Sequence, residues 1–194
     1  MDVDTVIAQR VRVLRKTRGY SLDQLAALSG VSRSMISLIE RHETSPTAVV
    51  LHKLASALGA SLAALFSQEP GSAEAQPLAR RSDQHSWTDP ESGYVRRHVS
   101  PSGYPSPIEL VEVLFPAGKS VAFENAARGT TAHQQVWVLE GEIDVTVEDR
   151  SWHLEAGDCL AVETGPHIIF RNKGRRPARY LVAVSAVPFP SRST

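Results

Sequence analysis

Residues 21–47 read SLDQLAALSGVSRSMISLIERHETSPT, and this stretch decides the fold of the first part of the chain. Ser21 is suited to cap a helix over residues 22–29, and Ser32 to cap another that runs to about Arg41. Gly30 lies between the two helices and permits a tight turn. Two short helices joined in this way predict a helix-turn-helix, whose second helix is free to lie in the major groove of DNA.

Helical periodicity extends on both sides of this stretch. Apolar residues at steps of three and four predict a first helix that ends near Gly19, and Thr47 opens a fourth helix after Pro46. A short turn over residues 61–66 closes the bundle. The apolar side chains expected in its core are Val3, Ile7, Val11, Leu14, Leu25, Leu28, Met35, Ile36, Ile39, Val50, Leu51, Leu54 and Leu58. Residues 1–66 are therefore predicted to form an all-α domain of five short helices.

The composition changes after residue 66. Residues 67–85 (SQEPGSAEAQPLARRSDQH) are rich in small, charged and turn-forming residues and are predicted to be a linker. Residues 86–194 contain short runs rich in β-branched and aromatic residues, separated by glycine and proline. This pattern predicts an all-β antiparallel sandwich or barrel. Within it, the segment 87–107 is assigned neither to early strands nor to a lid.

Composition limits the function classes. The chain has 194 residues, of which 42% are hydrophobic and 22% charged, as in ordinary globular proteins. No apolar run approaches the ~20 residues that cross a bilayer, and the first residues lack a secretory signal pattern. The single cysteine, Cys159, cannot form an intrachain disulfide, which fits a reducing cytoplasm. Residues 1–66 carry eight basic and five acidic side chains against 13 and 16 in the remainder, so they are the better candidate for binding nucleic acid.

Residues 5–66 resemble the xenobiotic-response-element (XRE, lambda-repressor-like) helix-turn-helix family, through RVRVLRKTRGYSLDQLAALSGVSRSMISLIERHETSPTAVVLHKLASALGASLAALF. The resemblance implies that the first residues of the third helix, Arg33 and Ser34, meet base edges. Ser37 and Leu38, one helical turn further along the same helix, are implied to do so as well. Arg33 can donate two hydrogen bonds to O6 and N7 of a guanine. The family pattern also implies an internal ion pair between Arg15 and Glu40.

Phosphate contacts are expected beside these base contacts. Ser21 and Ser32 lie at helix N-termini, where free backbone N–H groups already point toward an anion, and Arg41 follows the recognition helix. The chain departs from the family at Leu22, where many members carry a glutamine that engages the DNA backbone. It departs again at Glu43 and Ser45, where a basic residue or glycine is frequent. We therefore expect modest affinity for each monomer, which makes dimerisation more necessary.

Residues 108–187 resemble the β-barrel of the cupin superfamily, through HQQVWVLEGEIDVTV and the later LEAGDCLAVETGPHIIFRN. Metal-dependent cupins use two histidines and a glutamate from the first motif and a histidine from the second. Counting from Gly141, these positions fall on Ala127, Gly129, Gln134 and Ile168. Such side chains cannot make a good divalent site, so no metal and no other cofactor is predicted. A change of register by one residue leaves open a metal site that uses His133 and His167. The interpretation we favour places His133 in solvent and His167 at the barrel mouth.

Without a metal, the β domain is predicted to bind a ligand, to dimerise, or both. Alternation along one strand places Gln134, Val136 and Val138 inward, which gives an apolar pocket with one polar group. The whole predicted pocket is Val113, Phe115, Gln134, Val136, Val138, His167 and Phe170. Cys159 is expected to be a small core residue rather than a nucleophile. No other catalytic constellation is recognised, so the chain is not predicted to be an enzyme.

These features predict a cytoplasmic transcriptional regulator with a helix-turn-helix domain (1–66), a linker (67–85) and a cupin-like sensor domain (86–194). Its predicted partners are double-stranded DNA with an inverted-repeat operator, an unidentified small-molecule effector and a second copy of the chain in a homodimer, with no membrane contact. Two alternatives stay open. One is a metal-dependent cupin enzyme with a helical interaction module, and the other is a β domain that only dimerises.

Overall fold

The computed structural model describes residues 3–66, 76–124, 133–163 and 167–185. Within these ranges the N-terminal part contains the helices α1 (Val3–Thr17), α2 (Leu22–Ser29), α3 (Arg33–Glu40) and α4 (Ala48–Ala57). The fifth expected helix is a single 3-10 turn, Ala63–Leu65, because α4 ends just before Gly59, whose φ is 61°, and few residues follow it. None of the helices in the described ranges is long and apolar enough to span a membrane.

Three of these helices begin at capping residues that the sequence predicts. The hydroxyl oxygens of Ser21, Ser32 and Thr47 each accept a hydrogen bond from the backbone N–H three residues later, at 3.1, 3.2 and 3.4 Å. Each bond satisfies one of the free donors at a helix start. The predicted positions of the helix-turn-helix and of α4 are therefore confirmed.

One core prediction in α2 is wrong. Leu25 is fully buried, but Leu28 is 52% exposed. The buried residues of α2 are Leu25 and Ser29, which lie four positions apart on the same side of the helix. Leu28 falls on the adjacent side, so its helical spacing from Leu25 does not bring it to the core.

The C-terminal part consists of strands in the described residues. They are β1 (Ser86–Thr88), β2 (Val95–His98), β3 (Ile108–Phe115), β4 (Ser120–Glu124), β5 (His133–Glu140), β6 (Glu142–Val147), β7 (Arg150–Glu155), β8 (Cys159–Glu163), β9 (His167–Arg171) and β10 (Ala178–Ser185). They form one six-stranded sheet in the order β1-β2-β3-β10-β5-β8 and one four-stranded sheet in the order β4-β9-β6-β7. No strand pairing among the described residues closes the two sheets into one barrel, so the predicted barrel is observed as two packed sheets.

The inner face of the six-stranded sheet follows from its register. In antiparallel pairs, directly opposed residues share a face, so three rows of side chains cross the sheet. The first row is Arg96, Val113, Tyr180 and Val138; the second is His98, Val111, Val182, Val136 and Leu160; the third is Glu109, Val184, Gln134 and Val162. Most of these residues are apolar and are buried or partly buried, and they pack on the inner residues of the other sheet.

The segment 87–107, which the sequence leaves unassigned, supplies the edge of this sheet. β1 pairs with β2, and β2 pairs with β3. Trp87 on β1 and Arg96 on β2 are directly opposed, so both lie on the inner face at this edge. The helical part covers that face, since the ring of Phe66 lies 6.0 Å from the ring of Trp87.

Polar contacts join the two parts at the same place. The backbone N–H of Ala48 donates to Oδ1 of Asp89 at 2.9 Å, and the hydroxyl of Ser61 donates to Oε1 of Glu109 at 3.1 Å. We call this region the domain joint, defined by Ala48, Ser61, Phe66, Trp87, Asp89, Arg96 and Glu109. One hydrophobic cluster runs from the helices through Phe66 and Trp87 into both sheets.

The predicted linker is described only in part. Residues 67–75 lie outside the described residues. Residues 76–85 contain a 3-10 turn, Arg81–Asp83, and the carbonyl of His85 accepts a hydrogen bond from the backbone N–H of His98 at 3.0 Å. The end of this segment is therefore attached to the β part.

Candidate functional site

The recognition helix α3 presents one polar face to solvent. Ile36 and Ile39 are buried against the other helices, and this orients the opposite side outward. The residues predicted to meet bases or phosphate lie on that outer side or beside it: Ser32, Arg33, Ser34 and Arg41 are exposed, and Ser37 and Leu38 are half-buried. The geometry therefore brings these predicted residues together, while their contact with DNA stays a prediction.

Each of the two arginines in this set has an acidic partner. Nε of Arg33 lies 3.1 Å from Oδ1 of Asp23 on α2, and a guanidinium nitrogen of Arg41 lies 3.0 Å from Oε2 of Glu43. All four side chains are more than half exposed. Exposed pairs of this kind contribute little stability, so an approaching guanine or phosphate can displace the acid. Neither acid is predicted from the sequence as the partner of its arginine.

Ser21, another of the predicted phosphate contacts, is held in a capping box. Its hydroxyl accepts from the backbone N–H of Gln24, and Oε1 of Gln24 accepts from the backbone N–H of Ser21 at 2.8 Å. The hydroxyl proton of Ser21 is not used in the box, so this side chain can still donate to a phosphate oxygen.

A buried ion pair braces the helix-turn-helix. Nε and a terminal nitrogen of Arg15 lie 2.6 and 2.7 Å from the two carboxylate oxygens of Glu40. Arg15 also donates to the carbonyl of Tyr20 at 2.9 Å. The hydrogen bond to Glu40 raises the pKa of Arg15. This bidentate pair fixes α3 against α1 and confirms the ion pair implied by the family resemblance.

The predicted pocket residues of the β part occupy the inner faces of the two sheets with one exception. Val113, Phe115, Gln134, Val136, Val138 and Phe170 are buried. His167 is exposed, so its place in the predicted pocket is wrong. Strand alternation explains this result, because Ile168 and Phe170 of β9 face inward and His167 precedes them on the other side. Whether the buried residues hold a ligand stays a prediction.

The expectation for Cys159 is also wrong, because the side chain is exposed. It opposes Trp137 across the outer face of the six-stranded sheet, and Trp137 is 48% exposed. A shallow depression there is lined by Gln135, Trp137, Cys159, Leu181 and Ala183. Leu181 and Ala183 of β10 stand opposite Trp137 and Gln135 of β5. This outer patch, defined by those five residues, is an apolar sheet face in contact with solvent.

Three polar side chains on the inner face, those of Arg96, His98 and Glu109, are not predicted from the sequence. Burial raises the pKa of Glu109 and lowers the pKa of Arg96. Burial likewise lowers the pKa of His98 to about 4. The only sequence signal for them is a polar residue at an inward position of an alternating strand, and it becomes readable once β2 is known to be a strand.

The positions of a cupin metal site carry no metal-binding group where they are described. Ile168 is buried and apolar, and Gln134 is a neutral amide whose Nε2 has no hydrogen-bond partner among the described residues. Ala127 and Gly129 lie outside the described residues. Within the described ranges, no group of three or more His, Cys, Asp or Glu side chains is arranged to hold a metal ion. His133 opposes Glu163 at the start of β5 and is half-buried.

Both parts of the chain are similar to parts of known proteins. Residues 11–65 match the family model described as helix-turn-helix, and residues 115–184 match the family model described as cupin domain. The chain is 29% identical over 189 residues to the HTH-type transcriptional regulator PuuR of Escherichia coli, with 93% of this chain and 95% of PuuR covered. It is 26% identical to the HTH-type transcriptional regulator SutR of the same organism, with 90% and 91% covered. A crystal structure of an HTH_3 family transcriptional regulator from Vibrio cholerae superposes with a TM-score of 0.73 at 26% identity, covering 96% of this chain and 98% of that one.

The fold joins a helical part with an exposed recognition helix to a β part of two sheets. The chain contains a helix-turn-helix domain and a cupin domain, and over most of its length it is similar to HTH-type transcriptional regulators.

Proposed function

We propose that this regulator acts in the cytoplasm as a homodimer that binds an inverted-repeat operator, and that a small molecule bound by its cupin domain changes its affinity for DNA. The observation that carries the proposal is the exposed face of α3, where Arg33, Ser34 and Ser37 point away from a braced core. Because the helical part is packed against the β part through the domain joint, a change in one can bias the other. We propose no enzymatic activity, in line with the names of the relatives that match over most of the chain.

A homodimer can bind both half-sites of an inverted repeat, because the two share the same two-fold symmetry. Two recognition helices must lie about 34 Å apart to enter successive major grooves on one face of the duplex. The outer patch around Trp137 supports a homodimer, since an exposed tryptophan among aliphatic neighbours is typical of an interface core.

The test is selection of bound sequences from random duplex DNA with the full chain at physiological salt. The salt concentration matters because phosphate contacts alone produce unspecific binding when it is low. We expect an inverted repeat that is lost in Arg33→Ala, since a bidentate arginine–guanine contact contributes about 1–3 kcal/mol of discrimination. The matched control is Arg12→Ala, which removes an exposed arginine from α1 and should keep the repeat.

Two results would count against the proposal. Recovery of unspecific sequences by the wild-type chain would mean that it does not read an operator in this state. Recovery of the same repeat by Arg33→Ala would remove Arg33 from the reading residues. Arg41→Ala serves as a third comparison: a phosphate contact predicts weaker binding to all sequences and a salt slope reduced by about 1.

A further inference from the structure

Three buried nitrogen atoms on the inner face of β1 and β2, at the domain joint or next to it, have no hydrogen-bond partner among the described residues. They are Nε1 of Trp87, Nε of Arg96 and Nδ1 of His98, and none has a partner among the described residues. Trp87 and Arg96 are directly opposed on β1 and β2, and His98 lies two residues beyond Arg96 on the same face. Trp87 is 3% exposed and His98 is 7% exposed.

Two of these atoms have one-sided chemistry, because the indole N–H and the guanidinium N–H groups can only donate hydrogen bonds. Nδ1 of a neutral histidine donates in the tautomer that carries its proton there. A buried donor without an acceptor is costly, and most such donors in proteins are satisfied by protein, water or a bound ion. The place therefore calls for acceptor oxygens.

The guanidinium of Arg96 has no ion-pair partner among the described residues. Glu109 is the nearby acid that acts on Arg96 through space, and it accepts a hydrogen bond from Ser61 of the helical part. A guanidinium matches a carboxylate in shape and charge, and it also pairs with phosphate. The rings of Phe66 and Tyr94 each lie 6.0 Å from the ring of Trp87, so the surroundings of the indole N–H are apolar.

We propose that Trp87, Arg96 and His98 form a binding site for a small carboxylate at the domain joint. This proposal rests on the proposed function and specifies the chemical class and the position of its effector. The site lies at the edge of the sheet, apart from the predicted pocket around Gln134. The guanidinium of Arg96 also lies over the ring of Phe66 at 5.9 Å, so a carboxylate that draws the guanidinium toward itself alters a contact with the helical part.

The test is calorimetric titration of the full chain with acetate, succinate, glutamate and benzoate, and with inorganic phosphate, at matched ionic strength. We expect saturable binding of at least one carboxylate. Trp87→Phe keeps an aromatic ring in place but removes the N–H group, and it should weaken that binding about tenfold, the effect of one charge-assisted hydrogen bond. Arg96→Met should abolish binding while the unliganded protein stays folded, since Arg96 gives up no ion pair.

Gln134→Leu is the matched control, because it removes the unpartnered amide of the predicted pocket and leaves the joint intact. Unchanged affinity in this variant supports the joint as the site. The proposal is overturned if no carboxylate binds, if phosphate alone binds, or if Trp87→Phe and Arg96→Met bind as the wild type does.

The result is separable from that of the operator selection. Selection is carried out without added acids, so a chain that binds a carboxylate but no operator contradicts the proposed function and leaves the site standing. A chain that selects an operator but binds no carboxylate contradicts the carboxylate site and leaves the proposed function standing. Release or tightening of the selected operator by the bound acid then measures the coupling between the two sites.

Discussion

Arg33 is not free in the unbound protein, because its guanidinium is paired with Asp23 across the turn of the helix-turn-helix. The pair holds the arginine on the outer face of α3, close to where a guanine edge is expected. Upon binding, Arg33 exchanges one partner for another, whereas the negative charge of Asp23 stays beside the phosphate backbone. Asp23 should therefore lower the affinity for DNA in general without affecting the choice of sequence.

Replacing Asp23 by asparagine tests this role. We expect Asp23→Asn to bind operator and random DNA several-fold more tightly, because a change of about 1 kcal/mol corresponds to about fivefold. The measurement is titration of labelled duplexes at fixed salt concentration. Glu91→Gln, which removes an exposed acid on the β part, controls for the change in net charge. Equal affinities for Asp23→Asn and wild type would show that the Asp23 charge has no influence on binding.

His98 illustrates how burial shapes stability at the residue scale. Its pKa is lowered from 6.5 to about 4 by burial, with Arg96 and His85 as neighbouring positive charges. Between these values the unfolded chain binds a proton at this histidine and the folded chain does not, so stability must rise with pH through this window. Above about pH 6.5 the contribution is complete, and a shift of this size corresponds to about 3 kcal/mol.

The pH prediction is checked by urea unfolding of wild type and His98→Gln across this window. The wild type should lose stability toward the acid end more steeply than the variant, since glutamine does not titrate. Parallel pH profiles for the two proteins would contradict the inferred burial of a neutral imidazole.

At the scale of elements, the N-terminus of α4 is bound by a side chain of the other domain as well as by its own cap, Thr47. Asp89 is 2% exposed, and its carboxylate accepts the first free N–H of α4 through one oxygen and the backbone N–H of Ser92 at 2.9 Å through the other. A negative group at a helix N-terminus is also favoured by the helix dipole. The helix that follows the recognition helix is thus fixed to the β part by its first turn.

Asp89→Ala should therefore act on both domains. The substitution leaves two buried N–H groups without acceptors, at a cost of about 3 kcal/mol, and it should increase hydrogen exchange of the first-turn amides of α4. Thr47→Ala is the matched control, because it removes the cap within the helical part only, at about 1 kcal/mol. If both variants lose the same stability and exchange alike, the cap from Asp89 does not hold the joint.

The elements that local sequence determines are the ones that the sequence predicts well. Ser21, Ser32 and Thr47 mark helix starts because a cap is a contact over three residues. β1 and β2 are not predicted, since they are short and become strands only through pairing with β3. Cys159 and His167 are misplaced because a short apolar strand does not reveal which side is inner until its register is set. Asp89 and Glu109 escape notice because their partners are 41 and 48 residues away in the chain.

At the scale of the whole molecule, the outer patch is an apolar area of the six-stranded sheet that the described part of the chain leaves uncovered. Trp137 lies at its centre, opposite Leu181 and Cys159. A second copy packed there by a two-fold axis would cover both patches.

Trp137→Glu tests this arrangement. A carboxylate in an apolar interface has no partner and opposes its copy across the axis, so we expect a dimer to become a monomer in sedimentation velocity. Operator binding should weaken in parallel, since each half-site would then be bound separately. Tyr104→Glu is the control, because it places the same charge at another exposed aromatic position. An unchanged sedimentation coefficient for Trp137→Glu would exclude the outer patch as the dimer interface.

Because the apolar cluster is continuous through Phe66 and Trp87, we expect the helical domain to be less stable when it is separated from the β part. A fragment cut after residue 66 would present the ring of Phe66 to water and leave the first N–H of α4 without Asp89, so we expect it to melt earlier than the full chain. A chimera with a different sensor domain would need an aromatic side chain at the position of Trp87 and a carboxylate at the position of Asp89. Exchange of domains between regulators of this kind is therefore constrained at the domain joint, because side chains of both parts pack in one hydrophobic core there.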